Sequence, residues 1–328
     1  MSLRISAIIE RWPVAGQFII ARGAKTYVDV LVVAVSDGTH IGMGEGTAIY
    51  YQGESAERCL AQVERVIDDL ARFDPDAARA ALQIMLPPGA ARNALDCALW
   101  DLAAKAARVP LWQYVGLTSE PKPLVTAFTI SLGTADAMEA DASRAAANGY
   151  QLLKLKLTGE GDRLRVEAVK TGAPKARLIV DANESWGSLD IAAEATALAE
   201  FGVEMVEQPL PEGDEAKLEG LKSPLPILAD ESCHNAADVE RLAPYYDGVN
   251  IKLDKAGGLT EAMKIADSAE YAGLKVMVGC MLSTSLGIKP AFVLAQRADW
   301  VDLDGPALLA ADRDDGFKFE GGMIIPPS

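Results

Sequence analysis

The sequence predicts an α/β protein: a parallel barrel of eight strands preceded by a smaller α+β segment. Three observations predict it. Strand-like apolar runs alternate with amphipathic stretches over the second part of the chain, the grammar of βα units. Polar residues recur near the ends of those runs at Lys156, Asp181, Glu207, Asp230 and Lys252, in steps of roughly 22 to 26 residues, about one βα unit each. The first part of the chain follows another grammar, strands and then helices. An open doubly wound sheet is the competing architecture, but its glycine-rich phosphate turn is not found.

Residues 4–46 alternate and turn like a small antiparallel sheet, with Ser36-Asp37-Gly38 as a turn. The opening Met1-Ser2-Leu3 is compatible with an added leader. Residues 55–73 take helical periodicity, with Leu60, Val63, Val66 and Ile67 on one side. Pro87-Pro88-Gly89 breaks the chain, and 90–107 predicts a helix apolar around most of its circumference, hence buried between layers. Its Arg92, Asn93 and Asp96 are expected to be paired at a domain junction. Thr, Ser and two prolines at 117–123 mark a boundary. Candidate barrel strands follow at 125–131, 152–157, 176–181, 203–207, 226–230, 248–253, 275–278 and 300–304.

The second of these carries Lys154 and Lys156 between leucines. Strand alternation sets both lysines on one face. On an isolated half-buried strand they would face water; the charged strand ends downstream argue that they face a barrel mouth instead, where barrels of this kind keep their chemistry. A lone buried acid or lysine is costly, whereas several brought together neutralise one another around a cation. Asp181, Glu207 and Asp230 each end an apolar strand. Three oxygen ligands without thiolate or imidazole suit a hard cation, magnesium first. His40 and His234 are the only histidines, too few for a histidine-rich zinc or iron site.

Composition narrows the partners. Half of the 328 residues are hydrophobic, enough for a sizeable core, and the formal charge is −16. That charge, without any basic stripe, argues against a nucleic-acid binder and weakly against anionic membranes. Cys59, Cys97, Cys233 and Cys280 form no C-x-x-C pair and read as reduced, mostly core cysteines. With no signal peptide and no bilayer-length apolar run, a cytoplasmic protein is expected, acting on a small molecule, with homo-oligomerisation left open.

Taken together, Lys154-x-Lys156, Asp181-Ala182-Asn183, Glu207-Gln208-Pro209, Asp230-Glu231-Ser232 and Asn250-Ile251-Lys252, followed by Gly257-Gly258, resemble the enolase superfamily, in particular its muconate-lactonizing-enzyme subgroup. The likeness covers nearly the whole chain. It implies a modified TIM barrel, (β/α)7β, at 118–305, an α+β capping domain at 1–117, and a segment at 306–328 returning to the cap. It implies magnesium on Asp181, Glu207 and Asp230, supported by Asn183 and Asn250. It also implies Lys156 and Lys252 as acid/bases on the two faces of an α-carbon, with Lys154 as positive charge near the substrate carboxylate. Removing a proton α to a carboxylate makes a dianionic enediolate, so positive charge on that carboxylate is needed. A lysine base must be neutral, and Lys154 and the cation are expected to lower the pKa of Lys156. Two bases on opposite faces imply racemisation or epimerisation.

Asp302 and Asp304 share a strand face. They resemble the Asp-x-Asp by which the subgroup's dipeptide epimerases hold a substrate ammonium. Ile19-Ile20-Ala21-Arg22-Gly23 resembles a capping loop whose arginine, here Arg22, binds a glutamate side chain, and Thr129 matches a position near the substrate. The expected reaction is therefore magnesium-dependent epimerisation of a dipeptide, L-Ala-D/L-Glu. The alternatives are a cycloisomerase or o-succinylbenzoate synthase of the same subgroup, and a non-catalytic binding relative. Tyr50, Tyr51 and Gln52 are expected to close over the mouth.

Overall fold

The computed structural model describes residues 2–20 and 23–327. It opens with an antiparallel sheet of β1 (Arg4–Ile20), β2 (Gly23–Ser36) and β3 (Ile41–Thr47). The helices α1 (Ala56–Leu70), α2 (Pro75–Met85), α3 (Ala90–Ala106) and the single turn α4 (Leu111–Tyr114) follow. Ser55 and Asp74 cap the first two by accepting from Arg58 N and Ala77 N. Leu3 is buried in the core between this sheet and these helices, and its N–H donates to Ala71 O at 2.9 Å. Leu3 is thus part of the fold, its side chain completing an apolar layer.

Helix α3 lies directly on β3. Gly42, Gly44 and Gly46 face it, and a Cβ on any of them would come within 2.1–2.2 Å of the carbonyls of Ala98, Ala94 and Ala90. This close seating explains why α3 is buried on nearly all sides. It also turns Glu45 and Thr47, the alternate residues of β3, toward the second part of the molecule.

That second part is a parallel sheet in the order β5 (Ala127–Ile130), β6 (Leu152–Lys156), β7 (Arg177–Asp181), β8 (Val203–Glu207), β9 (Ile227–Ala229), β10 (Gly248–Lys252), β11 (Lys275–Gly279) and β12 (Trp300–Asp302). Between them run α5 (Ala135–Ala147), α6 (Asp162–Gly172), α7 (Ile191–Glu200), α8 (Ala236–Leu242), α9 (Leu253–Ala256), α10 (Leu259–Ala272) and α11 (Ser285–Ala295). The step from β8 to β9 uses a 3-10 turn, Glu215–Leu218, in place of an α-helix. The outer strands β12 and β5 meet through side chains: Leu303 N donates to Thr126 Oγ1 at 2.9 Å and Thr129 N to Asp304 Oδ2 at 2.7 Å. The eight predicted strands all form, and the barrel reading holds over the open sheet.

Alternation along these strands sorts the interior into layers. Ala127, Leu152, Ile179, Met205, Leu228, Met277 and Trp300 make one apolar layer at the foot of the barrel. One inward position further along lie Thr129, Lys154, Asp181, Glu207, Asp230, Asn250 and Asp302. The outward residues of β6, Leu153 and Leu155, join the core beneath the helices. All of β6 is buried, so its lysines sit in a packed interior and not in water.

The junction between the parts is polar and paired. Arg92 donates to Gly257 O (3.0 Å) and Ala256 O (2.6 Å), Asn93 to Asp254 (2.8 Å), and Thr260 to Asp96 through N (2.9 Å) and Oγ1 (2.6 Å). Gly257 has φ +73°, and a Cβ there would meet Arg92 Nε at 2.4 Å, so glycine is needed for both backbone and space. After β12 the chain touches the first sheet, with Ala310 N donating to Pro13 O at 2.9 Å. Arg313 pairs there with Glu10 (2.8 Å) and Glu45 (3.1 Å). The hairpin of β13 (Lys318–Glu320) and β14 (Met323–Ile325) then pairs with β4 (Leu124–Val125), just before β5.

Candidate active site

Asp181, Glu207 and Asp230 come from β7, β8 and the residue after β9, three neighbouring strands. One carboxylate oxygen of each lies within 4.8 Å of the others, and all three side chains are buried. The chain turns sharply behind the first two. Asn183, Glu184 and Gln208 adopt left-handed φ of +43°, +68° and +37°, costly for residues with a Cβ and held by their surroundings. Asp181 Oδ1 accepts from Asn183 N (2.9 Å), and Asn250 Nδ2 donates to Glu207 Oε1 (2.7 Å). Gln208 braces β8 to β9: its Oε1 accepts from Asp230 N (2.7 Å) and its Nε2 donates to Ser232 Oγ (2.9 Å) and Leu210 O (2.7 Å). Glu207 Oε2 and Asp230 Oδ1 accept no hydrogen bond, although an ammonium stands 2.6 Å from each. Three converging hard oxygens with open lone pairs fit a divalent cation.

Four buried lysines surround these acids. Lys154 Nζ lies 2.6 Å from Glu207, 2.8 Å from Asp302 and 3.4 Å from Asp181. Lys156 pairs with Asp181 and Lys252 with Asp230, both at 2.6 Å. Lys255, which sequence reasoning missed, stands 2.6 Å from Asp230 Oδ1. Burial pushes the Asp181 carboxyl up, but Lys156 and Lys154 outweigh it and hold the group at about 2. Burial and the Asp181 charge raise Glu207 to about 8 against Lys154. Burial also opposes the charge on Asp230, yet Lys252 and Lys255 keep it well below the usual carboxylate range. Burial would neutralise Lys154 and Lys252; for Lys154 the carboxylates of Asp302 and Glu207, and for Lys252 that of Asp230, hold the ammonium well above its ordinary pKa.

Strand order fixes the geometry of the mouth. In a ring of eight, β6 and β10 are diametrically opposed, so Lys156 and Lys252 face each other across it. The three acids occupy the arc between them, on β7 to β9. Asp302 and Asp304 lie across from that arc, on and after β12, beside Thr129 of β5. Burial and Asp302 raise the Asp304 carboxyl to about 7, against the Thr129 N–H.

A cavity of about 210 Å³ opens above this ring, with Lys156, Lys252 and Asn183 in its barrel wall. Its other wall comes from the first sheet: Phe18 and Ile20 of β1, Lys25 of β2, and Tyr50 and Tyr51 from the turn after β3. The β1–β2 tip is tied to the barrel by Leu132 N donating to Ile19 O at 2.9 Å. Arg22 lies outside the described residues. Lys25, three positions on, lines the cavity half-buried, with its Nζ 4.4 Å from the Tyr50 ring centroid. Burial lowers its pKa, and no carboxylate pairs with it among the described residues. The only sequence signal for Lys25 was a second basic residue beside the Ile19–Gly23 stretch. Among the described residues no helix is long and apolar enough to cross a membrane.

A capped parallel barrel with three carboxylates at adjacent strand ends, flanked by opposed lysines, defines the enolase-like class. Within it, the chain belongs to the mandelate racemase / muconate lactonizing enzyme family. Residues 4–116 match that family's N-terminal domain and residues 137–328 the enolase C-terminal domain-like family. The chain is 45% identical to the L-Ala-D/L-Glu epimerase of Escherichia coli K12, over 96% of this chain and 97% of that protein. It is 39% identical to an N-acetyl-D-glutamate racemase of Pseudoalteromonas sp., over 90% and 93%. Its fold superposes with TM-score 0.94 on an Agrobacterium tumefaciens enolase family member with homology to dipeptide epimerases, solved with sodium and L-Ala-L-Glu. That protein is 44% identical, with 99% of this chain and 98% of that one covered.

Proposed function

We propose that this chain is a magnesium-dependent isomerase that epimerises dipeptides at the C-terminal residue, with L-Ala-D/L-Glu as preferred substrate. The observation that carries it is the placement of Lys156 and Lys252 on opposed strands with the acid triad on the arc between them. Asp181, Glu207 and Asp230 would hold magnesium, which would supply positive charge beside the carboxylate next to the carbon that loses its proton. Lys154 adds an ammonium on the same side. Lys156 and Lys252 address the two faces of the α-carbon; one removes the proton as the other returns one. For one epimer Lys252 is the donor and Lys156 the base, and for the other the roles exchange. Asn250 and Asn183 hold the triad's surroundings in place. Asp302 and Asp304, across the ring, pair with the substrate's free ammonium, with Thr129 fixing Asp304. Lys25, and Arg22 by resemblance, meet the glutamate side-chain carboxylate.

Two of the relatives named above handle a glutamate moiety, one as a dipeptide and one N-acylated. The acidic pair at Asp302 and Asp304 favours the substrate with a free ammonium. We place the functional units at 1–117, 118–305 and 306–328. The reading puts the protein in the cytoplasm, as its four free cysteines suit, in recycling of peptidoglycan peptides. The test is incubation of L-Ala-L-Glu with the protein and magnesium in D2O, followed by proton NMR. Loss of the glutamate α-proton signal with formation of L-Ala-D-Glu is expected. Exchange with N-acetylglutamate and none with dipeptides would overturn the substrate.

A further inference from the structure

Lys255 is the one lysine of the ring that the proposed chemistry does not use. It follows Lys252 by three residues, and the single turn α9 brings the two ammonium groups back to one side. Both then hold one carboxylate: Lys252 Nζ donates to Asp230 Oδ2, and Lys255 Nζ is ion-paired with Asp230 Oδ1, each at 2.6 Å. Lys255 is buried to 1% exposure. Its ammonium also donates to the backbone carbonyls of Asp230, Cys233 (3.2 Å) and Asn250 (3.3 Å). With its protons spent on the β9–β10 wall, it is no part of the cavity lining.

The opposite wall has no such clamp. Asp181 pairs with Lys156 at 2.6 Å, but its second lysine, Lys154, stands 3.4 Å away and is shared with Glu207 and Asp302. We infer that Lys255 is a positioning residue for one face of the reaction only. It pins Asp230, and through Asp230 it sets where the Lys252 ammonium stands, while Lys156 is held independently. This inference rests on the two-lysine epimerase reading above.

The test uses the whole protein. Lys156→Ala and Lys252→Ala first assign each epimer of Ala-Glu to the lysine that exchanges its α-proton in D2O. Lys255→Met is then measured with both epimers at saturating magnesium, and Mn2+ binding is followed by paramagnetic resonance. Exchange through Lys252 is expected to fall about 10- to 100-fold, and Mn2+ binding to weaken about tenfold, as when an outer partner of a metal ligand is lost. Exchange through Lys156 should stay within about threefold of the parent, since its partners are untouched. Equal loss on both faces, or unchanged Mn2+ binding, overturns the inference. If Lys255→Met does not fold, Lys255→Arg replaces it: the guanidinium keeps the charge but not the grip, and the same one-sided loss is required. A parent that exchanges no dipeptide sinks the epimerase reading, and the Mn2+ arm still decides whether Lys255 pins Asp230.

Discussion

On the barrel wall of the cavity, Lys156 and Lys252 are each 7% exposed, and Asp181, Glu207 and Asp230 behind them no more than 1%. The charged groups there are ion-paired with one another, while Glu207 Oε2, Asp230 Oδ1 and Asp302 Oδ1 accept no hydrogen bond. On the cap wall, Phe18, Ile20, Lys25, Tyr50 and Tyr51 are all only partly buried. Chemistry that moves a proton needs charges fixed before the substrate arrives, because reorganising them during reaction costs energy. Recognition of a side chain needs a surface that admits it and then closes. The difference predicts that barrel-wall changes act on turnover and cap-wall changes on choice of substrate.

The largest effect belongs to the two lysines. Lys156→Ala and Lys252→Ala should each reduce interconversion of the epimers by about 10³-fold or more, while each keeps α-proton exchange of one epimer. Excess EDTA should stop both exchanges and magnesium restore them. NMR in D2O reads all three. Interconversion at the parent rate in either variant would break the assignment of the barrel wall.

Next comes the ammonium end. Asp302→Asn should raise KM for L-Ala-L-Glu by about 10- to 100-fold, the loss of a charge-assisted pair of 1.5–3 kcal/mol. The Asp304 carboxyl sits at about 7, so below that pH it is protonated and neutral. KM should therefore rise as pH falls through 7, and a steady-state pH series checks the sign.

On the cap wall the effect is smaller and selective. Lys25→Ala should lower kcat/KM for L-Ala-L-Glu by about tenfold, the worth of one partly buried charged contact, and leave L-Ala-L-Leu unchanged. An equal drop for both would show that Lys25 shapes the cavity without reading charge.

The least effect is on stability at the junction between the walls. Asp254 is buried and accepts from Thr47 N at 2.9 Å and Asn93 Nδ2 at 2.8 Å. Burial raises its carboxyl to about 7 against those donors. The folded state thus keeps a proton that the unfolded chain loses near pH 4, and stability drains away as pH rises from about 4 to 7. Asp254→Asn should lose that slope, so its Tm should gain on the parent's by a few °C between about pH 5 and pH 8.

The barrel was legible because each βα unit repeats its polar residue at one structural height, so spacing alone revealed the register. The same period placed Lys156, the acid triad and Lys252 together, strand alternation added Lys154, and Asp302 was legible only through its resemblance to an Asp-x-Asp motif. Lys255 was not legible: nothing in Lys252-Leu253-Asp254-Lys255 tells a buried clamp from a solvated helix turn. Only the approach of Asp230 from the neighbouring strand makes the difference. Lys25 escaped for the opposite reason, since its place depends on how the β1–β2 tip leans on Ser131 and Leu132, a tertiary contact with no local pattern. The polar residues of α3 were expected at a junction, but their partners, Gly257, Asp254 and Thr260, lie more than 150 positions away and are visible only in the fold.

The seven apolar side chains at the foot of the barrel, from Ala127 to Trp300, act as a stopper. A vessel stoppered at one end has one door, and here that door lies beneath the cap. Solvent hydrogen must reach Lys156 and Lys252 by the route the peptide takes to leave. An isotope carried by either lysine can therefore enter or leave only on the cap side of the stopper.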